Sequence, residues 1–483
     1  MVIMNTPYSN TSRTNTSKNF QAYYPVDINA LMSAYRDKNT NTVKRLEHET
    51  SIGKSIILTL IRSVIGNGLK PQSVPVNEVL HWSNEERDRF ASEAEAYFDL
   101  ITGSPDFDHY GKQNFMSLQR VAFRNIISSG DVLLHRYYSS KENGYRPRIQ
   151  VISGDWVGNP GYASDTQDCA GGIKLLDGRE IGYYIKQTDV NRLESGASKL
   201  VNRMNNGFME YNLIHLDDED SSQLRGVPFL TAGREDLIDI ATFKNAFLNK
   251  AMVQSLLSVF ITKEQETDEP TVQEKVVQMA EAESDEYSED GGSDETISLG
   301  AGNIISLASG EKPQTVESQV AGLDFDSFMK SNLRTIGASA YVPYCMFTGD
   351  YSSNYGASRA TIAGAEKGFA DLRSEYADKF CVPVWEQVID YGIRAGHLKA
   401  PKGYFENPLI RKACLKTYWT GPGAIVIDPT KEVNAWASAV DNKFATREQA
   451  VATMYGRDWD STIERLNSEN EKIVPEDDKE NKE

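Results

Sequence analysis

Cysteine is scarce in this sequence. Four cysteines occur among 483 residues, far apart and in no Cys-x-x-Cys pair: Cys169, Cys345, Cys381 and Cys414. This pattern argues against a disulfide framework and against a zinc site. We therefore expect reduced, buried thiols.

Long apolar runs are also missing. The best candidate, residues 55–65, contains Arg62 and is shorter than the ~18–20 residues that span a bilayer. Residues 1–20 are rich in Asn, Ser and Thr and lack the apolar core of a signal peptide. We predict a cytosolic protein without a membrane segment, and a disordered arm over residues 1–20.

Positive charge is in short supply, with 51 Lys and Arg against 69 Asp and Glu and a formal net charge of −18. This is the wrong sign for a protein whose whole surface grips DNA phosphates. Thirteen acidic residues and one lysine lie between residues 264 and 295, a local net charge of −12. The rest of the chain is nearly balanced, and this composition suits a small, projecting subdomain.

The first part of the chain shows helical periodicity and then strand-like periodicity. Apolar residues at helical spacing predict helices over residues 42–65, 84–100 and 113–129. Short β-rich runs separated by turn residues follow at 131–138, 148–152, 171–176, 181–187 and 210–216. Residues 1–225 therefore indicate an α+β domain, with helices first and an antiparallel sheet after them.

Two long helices, over residues 229–263 and 325–340, are predicted to flank the acidic segment. A loop over 343–358 precedes a helix over 359–396, which Pro383 should kink. Two more helices are predicted near 431–440 and 446–455, and residues 474–483 indicate a disordered tail. No repeat of fixed period is found, which argues against a solenoid or a propeller.

Enzyme chemistry finds little support in the motifs. Residues 48–55 (HETSIGKS) end like a phosphate-binding loop, but His48 stands where that loop needs its first glycine. This stretch also lies within a helical pattern instead of following a strand. The carboxylates of 215–220 (HLDDED) could bind a cation, although a solvated turn is the favoured interpretation. We predict no catalysis, no cofactor and no bound metal.

Six short motifs, in this order along the chain, resemble the lambda-type family of tailed-phage portal proteins. They are VIGNGL (64–69), SGDV (129–132), QLRGVP (223–228), GDYSSNY (349–355) with Ser358-Arg359, WTGP (419–422), and DPTKE (428–432) with Thr446-Arg447. Each motif alone would be weak. Their order and spacing over residues 40–460 make the resemblance specific.

The resemblance implies an α+β portal fold made of named regions. These are an α/β wing (21–228), two stem helices (229–263 and 325–344), an inserted clip (264–324), a tunnel loop (345–358), a kinked wing and crown helix (359–396) and a C-terminal wing and crown region (397–473). It also implies a homo-oligomeric ring of about twelve subunits that nucleates procapsid assembly. The ring would pass double-stranded DNA through one capsid vertex.

The expected partners follow from the same resemblance. They are the terminase large subunit, the major capsid or scaffolding protein and the head–tail connector proteins, in the virion and, during assembly, in the host cytoplasm. The implied site residues are a DNA-channel loop (Asp350, Tyr351, Ser352, Ser353, Asn354, Tyr355 and Arg359), stem cations facing the channel (Lys244, Lys250, Lys330 and Arg334), and clip residues for partner docking (Asp285, Glu286, Glu289 and Asp290).

Other interpretations stay open. The four stem cations could be solvated or could form ion pairs between subunits, and Tyr351 and Tyr355 could be buried anchors of their loop. The chain could be another structural virion component, such as a minor head protein or a head–tail adaptor, which would lack long paired helices around an insert. A metal-dependent nuclease would need Asp217, Asp218, Glu219 and Asp220 to converge in a pocket.

Overall fold

The computed structural model describes residues 27–139, 146–186, 198–256, 260–263, 311–314, 325–351, 355–423, 429–456 and 459–473. The chain divides into two compact units. The first comprises Met1–Leu237 with Ser331–Glu483, and the second comprises Ile238–Lys330. Helices and strands both occur, as predicted. Among the described residues, no helix is long and apolar enough to cross a membrane.

The described part of the first unit begins with five helices, and a polar side chain caps the start of each except the third. The helices are α1 (Ile28–Glu49), α2 (Ser51–Val64), α3 (Asn77–Leu80), α4 (Asn84–Thr102) and α5 (Phe115–Ser129), and strand β1 (Lys70–Ser73) lies between α2 and α3. Ser83 and Glu86 form a capping box at the start of α4, and Asn114 caps α5. These two helices confirm the predictions for residues 84–100 and 113–129.

The single helix predicted over residues 42–65 is wrong, because Thr50 interrupts it. Thr50 is extended, with φ −115°, and its hydroxyl accepts a hydrogen bond from the backbone N–H of Gly53 at 3.1 Å. A residue that caps the start of a new helix in this way has non-helical dihedral angles. Gly53, Lys54 and Ser55 therefore lie in a helix that follows another helix, and not in a loop after a strand.

The strands of the first unit form two main antiparallel sheets, although one sheet is predicted. The strands are β2 (Asp131–Ser139), β3 (Arg146–Ser153), β4 (Cys169–Ala170), β5 (Ile173–Leu176), β6 (Arg179–Lys186), β7 (Ser198–Asn202), β8 (Met204–Asn205), β9 (Phe208–Met209) and β10 (Tyr211–His215). One sheet has the order β10-β2-β3, the other β4-β5-β6-β7, and β8 pairs with β9. Buried side chains of both sheets share one core with Val157, which lies between β3 and β4: Leu133, Ile173, Tyr183, Val201 and Leu213.

The second unit contains most of the helix before the acidic segment and the first six residues of the helix after it. These elements are α6 (Arg234–Leu256), strands β11 (Phe260–Lys263) and β12 (Glu311–Gln314), which pair antiparallel, and α7 (Phe325–Ser339). The helix predicted over 229–263 begins later, at Arg234, and its predicted C-terminal end is wrong because residues 260–263 pair as a strand. Within this unit, Phe243 packs on Phe328 with ring centroids 4.6 Å apart, and Phe247 packs on Phe325 at 4.5 Å.

The chain returns to the first unit within α7, at Ser331. The elements there are α8 (Tyr344–Thr348), α9 (Tyr355–Tyr376), a π-helical turn (Ala377–Cys381), α10 (Val382–Arg394), α11 (Pro408–Cys414), strand β13 (Thr417–Thr420), α12 (Pro429–Asp441), α13 (Arg447–Tyr455) and α14 (Trp459–Ile473). β13 pairs with β1, from Lys70 opposite Thr420 to Ser73 opposite Thr417. An aromatic core joins both parts of the sequence: Phe98, Phe115, Tyr376, Phe380, Trp385 and Trp419.

The long helix predicted over residues 359–396 is interrupted just before Pro383. Proline lacks the N–H that an α-helix needs, and its ring clashes with the carbonyl four residues earlier. The chain forms the π-helical turn Ala377–Cys381 and then starts α10 with Pro383 in its first turn. The carbonyl of Pro383 accepts a hydrogen bond from Arg136 of β2, which ties this break to the first sheet.

Candidate functional site

The segment between α7 and α9, predicted as a loop over residues 343–358, starts with an anchored helix. Cys345 and Phe347 of α8 are buried. The hydroxyl of Ser55 on α2 donates a hydrogen bond to the carbonyl of Phe347 at 2.6 Å. A methyl group at Gly337 of α7 would overlap the ring of Phe347 and the carbonyl of Val342, so α8 lies close against α7. The start of the segment is therefore held by two helices.

A short chain of polar groups continues from α8. Gly349 ends the helix with φ 75°, and its N–H donates to the carbonyl of Cys345 at 3.0 Å. The Tyr344 hydroxyl donates to the carboxylate of Asp350 at 3.1 Å, and the guanidinium of Arg334 lies 5.7 Å from the centre of the Tyr344 ring. Two predicted site residues, Arg334 and Asp350, are thus linked by Tyr344, which the sequence analysis did not single out.

The remaining residues of the predicted channel loop have different settings. Tyr351 is 55% exposed, so in this chain it is not a buried anchor. Ser352, Ser353 and Asn354 lie outside the described residues, as does the side chain of Tyr355, the first residue of α9. The guanidinium of Arg359 lies 3.6 Å from the carboxylate of Glu432 on α12. Arg359 is therefore partly neutralised.

The other stem cations lie on α6 and α7. Lys244 is exposed on α6, and the side chain of Lys250 is outside the described part of the chain. Lys330 pairs with Asp326 one turn earlier at 2.6 Å. Asp285, Glu286, Glu289 and Asp290 of the predicted docking surface also lie outside the described residues, between β11 and β12.

The carboxylates of residues 217–220 have separate partners. Asp218 pairs with His215 and, at 2.6 Å, with Lys379 of the π-helical turn, while the carboxylate of Asp217 accepts a hydrogen bond from the Tyr341 hydroxyl at 3.4 Å. Burial alone would raise the pKa of Asp218, but hydrogen bonds from His215 and Lys379 outweigh burial and lower it. Within the described ranges, no three or more His, Cys, Asp or Glu side chains are placed to hold a metal ion. The convergence that a nuclease requires is therefore absent there.

Two motifs far apart in the sequence meet in the first unit. Asp131 of SGDV is fully buried and accepts hydrogen bonds from Arg225 of QLRGVP at 2.6 and 2.9 Å. Arg36 of α1 donates a third hydrogen bond to the same carboxylate at 3.0 Å. A methyl group at Gly130 would overlap the carbonyl of Gly226, so the two backbones are in direct contact.

The charges in this buried cluster perturb one another strongly. Burial alone would raise the pKa of Asp131, but the charges of Arg225 and Arg36 and the hydrogen bond from Arg225 hold that pKa well below its usual range. Burial and the nearby charge of Arg225 lower the pKa of Arg36. Arg225 also donates to the carbonyls of Gly154 at 2.8 Å and Val157 at 3.1 Å. The cluster therefore joins α1, β2 and the segment before α6.

Two further motifs meet beside β1 and β13. Gly66 of VIGNGL lies against the ring of Pro422 of WTGP. Arg373 of α9 donates to the carbonyl of Val64 at 2.9 Å and packs along Gly421. The motifs that carry the resemblance are thus largely places where distant segments approach closely.

Comparison with known sequences gives consistent results. The model of the family described as "Phage portal protein, lambda family" matches residues 16–373. The portal protein of Escherichia phage N15 is 22% identical over 387 residues, which cover 76% of this chain and 72% of that protein. Portal protein B of Escherichia phage lambda is 21% identical over 405 residues, covering 80% and 75%.

Solved structures show weaker likeness. One, titled as the neck of an empty GTA particle computed with C6 symmetry, matches with a TM-score of 0.43 and 14% identity over 86% of this chain and 92% of that one. Another, titled as the neck of a native GTA particle computed with C12 symmetry, has a TM-score of 0.40 and 13% identity over 85% and 92%.

Proposed function

Because the chain belongs to the lambda family of phage portal proteins, we propose that it forms a ring of about twelve subunits at one vertex of the capsid. The ring is a channel through which double-stranded DNA passes during packaging and ejection. It nucleates the procapsid with the major capsid or scaffolding protein, docks the terminase large subunit, and later holds the head–tail connector proteins. Phage portal proteins belong to the virion, and this one assembles in the host cytoplasm.

The observation that carries this proposal, beside the family, is the course of the chain around its acidic segment. Helices α6 and α7 lead out of the first unit and back into it, and between them β11 pairs with β12. This course fits two stem helices around a clip. A minor head protein or an adaptor predicts no such pair of helices. The first unit then supplies the wing and the crown region.

The charge of the chain supports passage of DNA over capture. Twelve chains of net charge −18 give a particle of roughly −200. Lys and Arg contacts with phosphates would release counterions and hold the polymer, whereas a mildly repulsive wall lets it slide. The ion pairs of Lys330 and Arg359 reduce the number of unpaired cations at two of the proposed channel positions. Portal proteins are structural, and we propose no catalytic turnover.

Ring formation is tested by mass. Purified protein under assembly conditions should give particles of about twelve chains with a central hole in negative-stain images. It should not hydrolyse ATP in a way that depends on Lys54. Monomers alone, or hydrolysis abolished by Lys54→Ala, would contradict the proposal.

The channel loop is tested by crowding it. Ser352→Phe with Ser353→Phe should reduce the DNA protected from nuclease in packaged heads, because bulky rings in the loop would obstruct the channel. Ser468→Phe with Asn470→Phe, at exposed positions of α14, is the matched control and should package normally. Rings of normal mass are expected in each case. Unchanged packaging with both loop serines replaced would refute the loop assignment.

The clip is tested by removing its charge. Replacing Asp285, Glu286, Glu289 and Asp290 by their amides should weaken terminase binding and its salt dependence, because exposed charges act over ~10 Å at 0.1 M salt. Four exposed carboxylates of α4 give a control of equal charge: Glu85, Asp88, Glu93 and Asp99. Loss of rings with intact docking would overturn the clip assignment.

A further inference from the structure

A groove of about 1200 Å³ in the first unit stands out by its charge. It is bounded by α2, α5, the turn after α2 and the segments 420–423 and 455–456. Its charged lining residues are Arg62, Lys70, Arg120 and Arg124, and no carboxylate lines it among the residues that the structure describes. A cleft lined by one sign of charge concentrates the field and attracts ions of the opposite sign.

Three of these cations are not neutralised within the described chain. Arg62, Lys70 and Arg120 are exposed and form no ion pair with a described carboxylate. Arg124 differs, because it pairs with the buried Glu47 at 2.5 Å. The groove therefore carries about three available positive charges.

Two other exposed arginines in this unit have carboxylate partners. Arg45 pairs with Glu49 at 2.8 Å, and Arg89 pairs with Glu93 at 3.7 Å, each four residues along its own helix. A polyanion that approached those helices would meet neutral pairs. On a chain of net charge −18, the groove groups four cations in one lining.

The neutral lining of the groove supplies polar side chains. Asn67, Gln113 and Ser117 lie beside the cations, and Tyr455 is 58% exposed at the edge. Five glycines also line the groove, but the N–H groups of Gly66, Gly68 and Gly456 already donate to carbonyls within the chain. Arg and Lys together with Ser, Asn, Gln, Tyr and backbone N–H groups are the set that contacts the sugar–phosphate backbone of DNA.

We propose that this groove binds the sugar–phosphate backbone of DNA without base specificity, as a contact separate from the loop around Asp350 and Tyr351. The inference rests on the proposed function only in taking DNA as the polymer that the particle carries. Arginine suits the role because its planar fork matches phosphate oxygens in a bidentate manner. The proposed binding has no base specificity, because contacts with phosphates carry no sequence information.

The test is a binding titration of the full-length protein with a fluorescent 20-base-pair duplex at several salt concentrations. The variant Arg62→Gln, Lys70→Gln, Arg120→Gln should lower the slope of log affinity against log salt by roughly 0.9 per side chain. Its affinity at about 0.1 M salt should fall at least tenfold. A second duplex of unrelated sequence should bind equally well.

The matched control removes the same charge elsewhere. Arg179→Gln, Lys199→Gln, Lys402→Gln replaces three exposed cations of the first unit that are outside the groove. It should bind within about twofold of the wild type, because non-contacting charges act only through the screened field. The variant Arg62→Lys, Arg120→Lys keeps the charge and should retain most of the affinity. Equal loss in the control and the groove variant would overturn the proposal.

The competing occupant is an acidic peptide. If a peptide of the sequence of residues 474–483 binds the wild type but not the groove variant, while the duplex binds neither, the groove takes protein carboxylates and the proposal is wrong. Particle mass is measured on the same samples. If rings form and the groove variant binds DNA as well as the wild type does, this inference alone is refuted. If the protein is monomeric and the groove variant loses DNA binding, only the proposed ring is refuted.

Discussion

Replacing Asp131 by asparagine would leave two buried arginines without their shared counter-ion. The Asp131 side chain is 0% exposed, and those of Arg36 and Arg225 are 7% and 3% exposed. Breaking a buried ion pair from one side costs about 3–5 kcal/mol, because the remaining charge is desolvated and uncompensated. We expect Asp131→Asn to lower the free energy of unfolding of the first unit by about this amount.

The chain provides a control on the same arginine. Asp37 lies 3.4 Å from Arg36, but its side chain is 72% exposed. Water already solvates that carboxylate, and exposed pairs contribute little. Asp37→Asn should therefore change the free energy of unfolding by less than about 1 kcal/mol. Comparing the two variants separates burial from the mere loss of a negative charge next to Arg36.

The assay is urea unfolding followed by tryptophan fluorescence, which reports on the buried Trp385 of the aromatic core. The two variants and the wild type are compared at the same protein concentration, since assembly adds to apparent stability. A loss below about 1 kcal/mol for Asp131→Asn, or equal losses for Asp131→Asn and Asp37→Asn, would refute the reasoning, because the cluster would then not hold the unit together.

Three more predictions follow from the first unit. Because the pKa of Asp131 is depressed in the folded state, its contribution to the free energy of unfolding is present above its unfolded pKa of about 4 and is lost as the pH falls below that value. The difference in unfolding free energy between wild type and Asp131→Asn should therefore stay constant from about pH 5 to 8 and become smaller in acid. Gly130→Ala should lower the free energy of unfolding by more than about 2 kcal/mol, since φ is 90° and the new methyl group would overlap Gly226. Gly178→Ala, where φ is 74° and no atom of the described residues lies near the new methyl group, should lower it by only about 1 kcal/mol in the same assay. Alkylation at pH 8, followed by mass spectrometry, should modify the partly exposed Cys169 in native protein. Cys414 should react only after unfolding, because burial and the charge of Asp390 raise the pKa of its thiol to about 12.

Local chemistry accounts for the elements that were predicted correctly. The bounds of α4 and α5 follow from the caps at Ser83 and Asn114 and from apolar residues at helical spacing. The strands β2 and β3 follow from β-rich runs between turn residues. The predictions of helices and strands failed where a residue distant in the sequence decides the conformation. Residues 260–263 continue a helical pattern but pair with 311–314, about fifty residues further along the chain.

The same limit applies to the candidate site. Asp350 and Arg334 were singled out separately, yet Tyr344, which links them, carries no signal in a sequence without its fold. The alternative of a metal pocket at residues 217–220 rested on composition alone. In the structure, residues more than 120 positions further along the chain donate to these carboxylates: Lys379 to Asp218 and Tyr341 to Asp217.

By itself, the order of short motifs determined the family. These motifs contain glycines and charged residues at close backbone contacts, where few other residues fit, so the motifs can be recognised in the sequence. Periodicity and caps determined most helices and strands of the first 230 residues, because those signals are local. Only the tertiary structure decided that Asp131 meets Arg36 and Arg225, that β1 pairs with β13 across some 350 residues, and that Arg62, Lys70 and Arg120 face one groove. These contacts join residues distant in sequence, and their energies depend on burial and on the charges opposite, neither of which exists until the chain has folded.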